Sequence, residues 1–172
     1  MPRFPAVLIL LFTAPLAWSE PVPAWLVRLP ESTPTVFVAE TSESAFHRFD
    51  RTADGVTRVR QEYMSIGQAG VGKQRTGDQR TPLGIYFVTE VKEDAELPAE
   101  YGIRAFVLDY PNIHDRLAGK TGSGIWLHAT DEPLKALSSR TTRGCVVVTD
   151  RAITDLTPLI VPGRTPILIE AR

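Results

Sequence analysis

Cys145 and His128 are the two residues whose types and spacing most directly suggest covalent chemistry. A cysteine attacks carbonyls as its thiolate, and its free pKa is about 8.5, so an imidazole within hydrogen-bond reach activates it by taking the proton. His128 precedes Cys145 by 17 positions, and a polar loop between them joins two predicted strands. Such a loop lets the chain return so that both side chains face one cleft. The pattern therefore predicts a cysteine–histidine pair able to transfer an acyl group.

Other interpretations of these residues remain open from the sequence alone. Cys145 is the single cysteine, and an unpaired cysteine is also compatible with a buried small hydrophobe or an intermolecular disulfide. His47 and His114 compete with His128 for the role of base. His47 lies in an early predicted hairpin and His114 follows the turn-forming Asn112, so neither has a comparable route to the cysteine.

Gly144 stands directly before Cys145, at the start of a strongly β-prone stretch. Because glycine permits backbone conformations outside a regular ladder, the amides of Gly144 and Cys145 are candidates to point at a ligand. Two such amides form the geometry of an oxyanion hole.

Other kinds of site have weak support. The three histidines and one cysteine lack the short spacings of a zinc site, so no metal and no cofactor is expected. The glycine-rich stretch 67–84 fits no phosphate-binding motif, and the aspartates form no evident acid–base couple. With 19 Lys+Arg against 20 Asp+Glu, the chain has no large positive field, so nucleic acid and anionic membrane surfaces are not expected partners.

Strands must position these residues, because 14 prolines and 12 glycines along 172 residues disfavour long helices. Alternating and β-branched runs predict strands at 35–40, 45–49, 56–66, 85–91, 105–110, 125–128 and 166–170, with loops at 67–84 and 111–124. Period-two alternation puts Trp126 and His128 on one strand face. Asp150 is predicted to cap a helix that ends at Pro162.

The first 19 residues have the pattern of an export signal. Arg3 precedes an apolar core at 6–12, and Ala17 and Ser19 occupy the two positions that a signal peptidase reads. About ten apolar residues are too few for a spanning helix, although an uncleaved anchor is the alternative. We expect cleavage before Glu20, an extended lead-in at 20–34 and one domain at 35–170. The mature protein is then expected in the periplasm or cell-wall space, without stable membrane insertion.

Three segments resemble the L,D-transpeptidase catalytic domain, also called YkuD-like: Gly124–His128, Thr142–Val146 and Gly77–Tyr86. The family motif is a histidine followed after a loop by Ser/Thr-any-Gly-Cys, together with Thr-Pro-any-Gly. The resemblance extends from about Thr35 to Ile169. Tyr110-Pro111-Asn112 with Asp115-Arg116 resembles a branch that includes L,D-carboxypeptidases affecting cell shape.

The resemblance implies a mainly β fold, with two curved mixed sheets packed as a sandwich and a few short helices. It implies that Cys145 attacks a peptidoglycan stem peptide at the carbonyl before the terminal D-alanine. His128 would be the general base and then the acid. The amides of Gly144 and Cys145 would stabilise the oxyanion, and a carbonyl near Ala129 would orient the imidazole.

The same pair of residues is compatible with three activities. An amine acceptor gives a transpeptidase that crosslinks third residues, and water gives a carboxypeptidase that trims tetrapeptide to tripeptide. If the side chains of Cys145 and His128 are misaligned, the protein would bind peptidoglycan without catalysing a reaction. The sequence does not choose between them, and it leaves the oligomeric state open.

The chain departs from the family pattern at two positions. Ala129 stands where many members have glycine, and Val147 stands where many have arginine. Val147 removes an anchor for substrate carboxylates, which Arg143 or Arg140 is a candidate to replace. The predicted substrate-binding residues are Arg143, Thr142, Tyr110 and Trp126.

Overall fold

The computed structural model describes residues 30, 32–132 and 138–171. The strands in these ranges are β1 (Thr35–Glu40), β2 (Ala45–Thr52), β3 (Gly55–Tyr63), β4 (Ile66–Gly67), β5 (Gly84–Glu93), β6 (Arg104–Leu108), β7 (Trp126–His128), β8 (Arg140–Thr142), β9 (Val146–Val147) and β10 (Pro166–Glu170). The helices are α1 (Ile113–Leu117) and α2 (Asp150–Leu156), with 3-10 turns at Asp94–Glu96, Ala99–Tyr101 and Thr157–Leu159. The predicted export signal at 1–19 and most of the lead-in at 20–34 lie outside the described residues. Within the described ranges, no helix is long and apolar enough to cross a membrane.

Eight strands form one curled mixed sheet in the order β3-β2-β1-β10-β5-β6-β7-β9, and β4 pairs with β8 separately. The long strand β5 joins the two halves of this sheet. Its residues 84–87 pair with β10 and its residues 88–93 pair with β6, with a register shift between Val88 and Glu90. Because such an irregularity bends a strand, the sheet curls.

The main hydrophobic core draws side chains from both halves of the sheet. Its fully buried members include Phe37, Phe46, Tyr86, Phe106, Leu127, Val146, Ile153 and Ile167. Burying a side chain of this size contributes about 1.5–3 kcal/mol. Leu127 and Val146 belong to the two strands that carry His128 and follow Cys145, so the core fixes the positions of both strands.

The predicted mainly β fold of curved mixed sheets with few short helices is confirmed. The strands at 35–40 and 166–170 lie at their predicted bounds, because their β-branched alternation is a local signal. The curl makes the two expected layers halves of one continuous sheet rather than separate sheets.

Two predictions on helices were wrong. The stretch 111–124 contains α1, which begins at a capping box: Asn112 Oδ1 accepts from the amides of His114 and Asp115, while Asp115 accepts from the amide of Asn112. Five helical residues are too few to show a helical period. Helix α2 is capped by Thr149, whose hydroxyl accepts from the Ala152 amide, and Asp150 occupies the first turn instead.

Candidate active site

A cleft of about 550 Å³ lies where β7 and β9 end, a size typical of ligand sites. Both Cys145 and His128 line it. Its other walls come from the glycine-rich loop after β4, the 3-10 turn Ala99–Tyr101, the loop 122–125 and the segment 141–143. The predicted nucleophile and base therefore face one cavity.

Parallel pairing of β7 with β9 brings the two residues together. Leu127 lies opposite Val146, and His128 lies opposite Val147. Cys145 immediately precedes Val146, so in this register it is a diagonal neighbour of His128. Because successive side chains point to opposite faces, Cys145, Val147 and His128 face the same side, and all three line the cleft.

His128 is held in one orientation by its backbone neighbour. The side chain is buried, 6% exposed, and its Nδ1 lies 2.6 Å from the carbonyl oxygen of Ala129. Since a carbonyl only accepts, Nδ1 must carry the hydrogen, which leaves the lone pair of the neutral ring on Nε2. The ring of Tyr101 packs against the imidazole with centroids 4.7 Å apart. The arrangement provides a proton acceptor of defined orientation.

The alanine after this histidine is accommodated by a glycine on a neighbouring segment. Ala129 is fully buried, and Gly102 lies against it with φ of +63°. A Cβ on Gly102 would lie 2.6 Å from the Cβ of Ala129 and 2.7 Å from the Thr130 amide nitrogen. The methyl group of Ala129 thus occupies space that the absence of a side chain at Gly102 provides.

Cys145 is half-buried, and its Sγ lies 3.5 Å from the carbonyl oxygen of Gly124. Burial raises the pKa of the Cys145 thiol above its ordinary value. A hydrogen bond with the Trp126 backbone and the positive charges of Arg143 and Lys73 act in the opposite direction without cancelling that rise. A raised pKa favours the protonated thiol, so Cys145 would need a base in order to act as a nucleophile.

The two backbone amides expected to form the oxyanion hole differ in their hydrogen bonding. The Gly144 N–H donates to Thr142 Oγ1 at 3.0 Å, and the Thr142 hydroxyl donates to the Cys145 carbonyl at 2.8 Å. The Gly144 amide is outside any strand ladder and already has a side-chain partner, because the threonine closes a local turn around it. The Cys145 amide forms no hydrogen bond with any described residue.

Thr81, in the Thr-Pro-Leu-Gly segment, holds the peptide group before the cysteine. Its buried hydroxyl donates to the Gly144 carbonyl at 2.9 Å and accepts from the Gly67 amide at 2.9 Å. In a trans peptide the carbonyl and the following N–H point in opposite directions. By fixing the Gly144 carbonyl, Thr81 therefore fixes the direction of the Cys145 N–H.

The structure separates the predicted substrate-binding residues into two groups. Arg143 and Thr142 line the cleft, whereas Tyr110, Trp126 and Arg140 do not.

The two predicted aromatic residues have other contacts. Tyr110 is buried in the core and its hydroxyl donates to the Thr121 carbonyl at 3.1 Å. Trp126 lies against the ring of Tyr101, with centroids 5.1 Å apart. Each aromatic ring thus contacts a residue that lines the cleft: Trp126 contacts Tyr101, and the Tyr110 ring lies 5.9 Å from the Lys73 ammonium.

The cleft residues that sequence reasoning missed include Lys73, Glu100 and Tyr101. Arg143 Nη2 lies 3.4 Å from Glu100 Oε1 across the opening. Tyr101 follows an acidic segment without periodicity, and Lys73 lies in an irregular loop. The one available signal was that Lys73 and Asp78 lie in the glycine-rich stretch 67–84, which overlaps the family segment Gly77–Tyr86.

Comparisons with known proteins identify the family of this chain. The L,D-transpeptidase catalytic domain family (YkuD) matches residues 37–169. The structure of Bd1075 from Bdellovibrio bacteriovorus is 34% identical with a TM-score of 0.67, over 81% of this chain and 48% of that one. The helical cell shape determining protein Pgp2 from Campylobacter jejuni is 22% identical with a TM-score of 0.66, over 80% and 48%.

A more distant likeness concerns the fold alone. An L,D-transpeptidase from Mycobacterium smegmatis is 13% identical with a TM-score of 0.54, over 80% of this chain and 59% of that one. No curated protein matches the chain by sequence. The chain spans about half the length of Bd1075 and Pgp2.

Proposed function

The chain belongs to the family of L,D-transpeptidase catalytic domains, and from this membership we propose that it is an exported peptidoglycan L,D-transpeptidase with Cys145 as its nucleophile. Members of this family act on peptidoglycan stem peptides. The observation that carries the proposal is that Cys145 and His128 face one cleft on adjacent parallel strands. Export places the active site in the compartment of its substrate.

In the first half of the reaction, Cys145 Sγ attacks the carbonyl carbon of the third residue of a tetrapeptide stem. The thiol proton passes to His128 Nε2, which the Ala129 carbonyl holds in the accepting tautomer. The bond to the terminal D-alanine breaks, and the imidazolium returns the proton to the departing amine. A thioester on Cys145 and free D-alanine result.

The Cys145 N–H stabilises the tetrahedral intermediate in this proposal. One such donor contributes about 3 kcal/mol to transition-state stability in other acyl-transfer enzymes. Thr81 supports this role because it fixes the preceding carbonyl. The Gly144 amide would join the oxyanion hole only if its hydrogen bond to Thr142 were exchanged for one to the substrate.

In the second half, a side-chain amine from another stem attacks the thioester and gives a crosslink between third residues. His128 Nε2 takes the proton of that amine. Cys145 then regains its proton from the imidazolium as the thioester breaks. The reaction returns the enzyme to its starting state.

A carboxypeptidase is the second candidate, and one observation favours it. Val147, buried beside His128 and lining the cleft, stands where many family members carry arginine. An apolar side chain there offers no charge to hold the polar end of an acceptor peptide. Water would then attack the thioester, and the product would be the tripeptide.

Product analysis distinguishes the candidates. The purified protein and its Cys145→Ala variant are incubated with disaccharide tetrapeptide, and the products are identified by mass spectrometry. Crosslinked dimers that have lost one D-alanine support the transpeptidase, and tripeptide alone supports the carboxypeptidase. Unchanged tetrapeptide in the wild type, with binding retained in Cys145→Ala, would identify a non-catalytic peptidoglycan-binding protein.

A further inference from the structure

Lys73 is a buried cation on the wall of the cleft. Its side chain is 4% exposed, yet the residue lines the cavity. The ammonium nitrogen lies 2.7 Å from Asp78 Oδ1 and 3.2 Å from the Arg75 carbonyl oxygen. An ammonium group has three N–H donors, and among the described residues the Lys73 ammonium forms no hydrogen bond beyond these two, although it also lies 5.9 Å from the centroid of the Tyr110 ring. One donor therefore remains for a ligand.

The partner of Lys73 is itself saturated by backbone donors. The Asp78 carboxylate accepts from the amides of Gln74 at 2.7 Å, Arg75 at 3.0 Å and Arg80 at 3.2 Å. Four donors thus share the charge of this carboxylate. The ammonium is held rigidly in place, and its positive charge is only partly compensated.

The loop 122–124 connects the surroundings of Lys73 with those of Cys145. A Cβ on Gly122 would lie 3.2 Å from Lys73 Cε, so the glycine leaves the approach to the ammonium group unobstructed. Two residues further on, the Gly124 carbonyl contacts Cys145 Sγ at 3.5 Å. Two residues span at most about 7 Å. In a peptide substrate, the carboxylate of the last residue lies on the order of one residue length from the carbonyl before it.

We propose that Lys73 binds the terminal carboxylate of the donor stem peptide and thereby restricts the reaction to stems that end in a free D-amino acid. This inference rests on the proposed function and names a specificity residue for it. A buried cation with a vacant donor forms a stronger hydrogen bond with a carboxylate than an exposed one does. Arg143, the other cation on the cleft, has a side chain that is 76% exposed and already faces Glu100.

The test compares two donors that differ only at the group Lys73 would bind. The tetrapeptide stem with a free terminal carboxylate and the same peptide ending in D-alaninamide are assayed for release of the last residue. The wild-type protein is expected to favour the acid in kcat/KM by about 30- to 100-fold, as for a hydrogen bond to a charged group. In Lys73→Met this preference is expected to fall to threefold or less.

Arg75→Met is the matched control. Arg75 is an exposed cation of the same loop and does not line the cleft, so this variant is expected to keep the full preference. A Lys73→Met protein that keeps it as well would overturn the proposal. Because the preference is a ratio within one protein sample, it does not depend on how much of the variant is folded. The double variant Lys73→Met/Asp78→Asn removes both charges of the ion pair, so neither is left buried without its partner. Its preference for the acid over the amide is expected to fall as it does in Lys73→Met.

A binding measurement separates this inference from the proposed function. In the Cys145→Ala background, calorimetry with the two peptides is expected to show tighter binding of the acid, and equal binding once Lys73 is methionine. If the Cys145→Ala protein that retains Lys73 binds the acid and the amide with equal affinity, Lys73 does not form a carboxylate site. If the wild-type protein shows no turnover but binding still favours the acid, the proposed transpeptidase activity is contradicted and the carboxylate site is retained.

Discussion

Gly102 packs against Ala129 so closely that a Cβ on Gly102 would lie 2.6 Å from the Ala129 Cβ. The contact connects two parts of the candidate active site. Tyr101 precedes Gly102 and packs against His128, and Ala129 supplies the carbonyl that orients the same imidazole. The size of Ala129, next to His128, therefore matches the space that Gly102 leaves in the neighbouring turn.

Gly102→Ala is expected to lower the free energy of unfolding by about 2–4 kcal/mol, from the left-handed backbone and the steric overlap. Activity is expected to fall as well, because Tyr101 must move away from His128. Urea denaturation and kcat measure the two effects. Adding Ala129→Gly is expected to restore part of the stability, since it relieves one of the overlaps but not the one with the Thr130 amide. Additive effects of the two substitutions would show that the residues are not coupled.

Thr81→Val is expected to destabilise the protein by about 2–3 kcal/mol, because it leaves the Gly67 amide and the Gly144 carbonyl without their buried partner. The larger effect is expected in kcat, since the Cys145 N–H loses its fixed direction. Thr81→Ser retains the hydroxyl and is expected to stay close to wild type in both measurements. A valine variant that keeps the wild-type kcat would show that Thr81 does not position the oxyanion donor.

Alkylation of the single cysteine by iodoacetamide should show the raised pKa of Cys145 directly. Burial raises this pKa above its ordinary value, so the reactive thiolate is scarce at neutral pH and increases as pH rises. The rate is expected to climb beyond pH 8, later than that of a free cysteine peptide in the same buffers. A high, constant rate between pH 5 and pH 7 would instead indicate a resting thiolate–imidazolium pair.

The Asp78 carboxyl is expected to contribute to acid stability. Burial alone would raise its pKa, but hydrogen bonds from three backbone amides and from Lys73 outweigh burial and hold the pKa well below its usual range. A depressed folded-state pKa gives stability that is present above the unfolded value of about 3.9 and lost as pH falls below it. Asp78→Asn is therefore expected to be less stable than wild type by about 3 kcal/mol at pH 7, and this difference is expected to begin to shrink below about pH 4 and to be clearly smaller at pH 3.

The control for this prediction is Asp54→Asn, at an exposed turn between β2 and β3. Its unfolding free energy is expected to follow that of the wild type across the same pH range. A constant difference between Asp78→Asn and wild type from pH 7 to pH 3 would exclude the proposed linkage.

The strands and the candidate pair of Cys145 and His128 could be predicted from local sequence signals, whereas the curved mixed sheets were implied by the family resemblance. β-branched alternation marks β1 and β10, and the order Gly-Cys followed by a valine run marks the start of β9. The pairing of β7 with β9 then follows from the need to bury Leu127 and Val146 in one core.

What the sequence did not reveal depends on contacts between distant segments. The capture of the Gly144 amide by Thr142 requires a specific turn, and the burial of Lys73 requires the loop 121–124 to lie over it. Tyr101 reaches His128 only because Gly102 meets Ala129. Neither periodicity nor spacing encodes such contacts, since each partner comes from a different loop.

The central claim is that Cys145 forms a thioester with the stem peptide, and the intact mass of the acid-quenched protein tests it most directly. After a brief incubation with disaccharide tetrapeptide, the intact wild-type protein is expected to gain the mass of the substrate minus D-alanine, and a proteolytic digest is expected to locate this gain on the peptide that contains Cys145. The Cys145→Ala protein is expected to show neither this adduct nor D-alanine release. Release of D-alanine by Cys145→Ala at the wild-type rate would contradict the account.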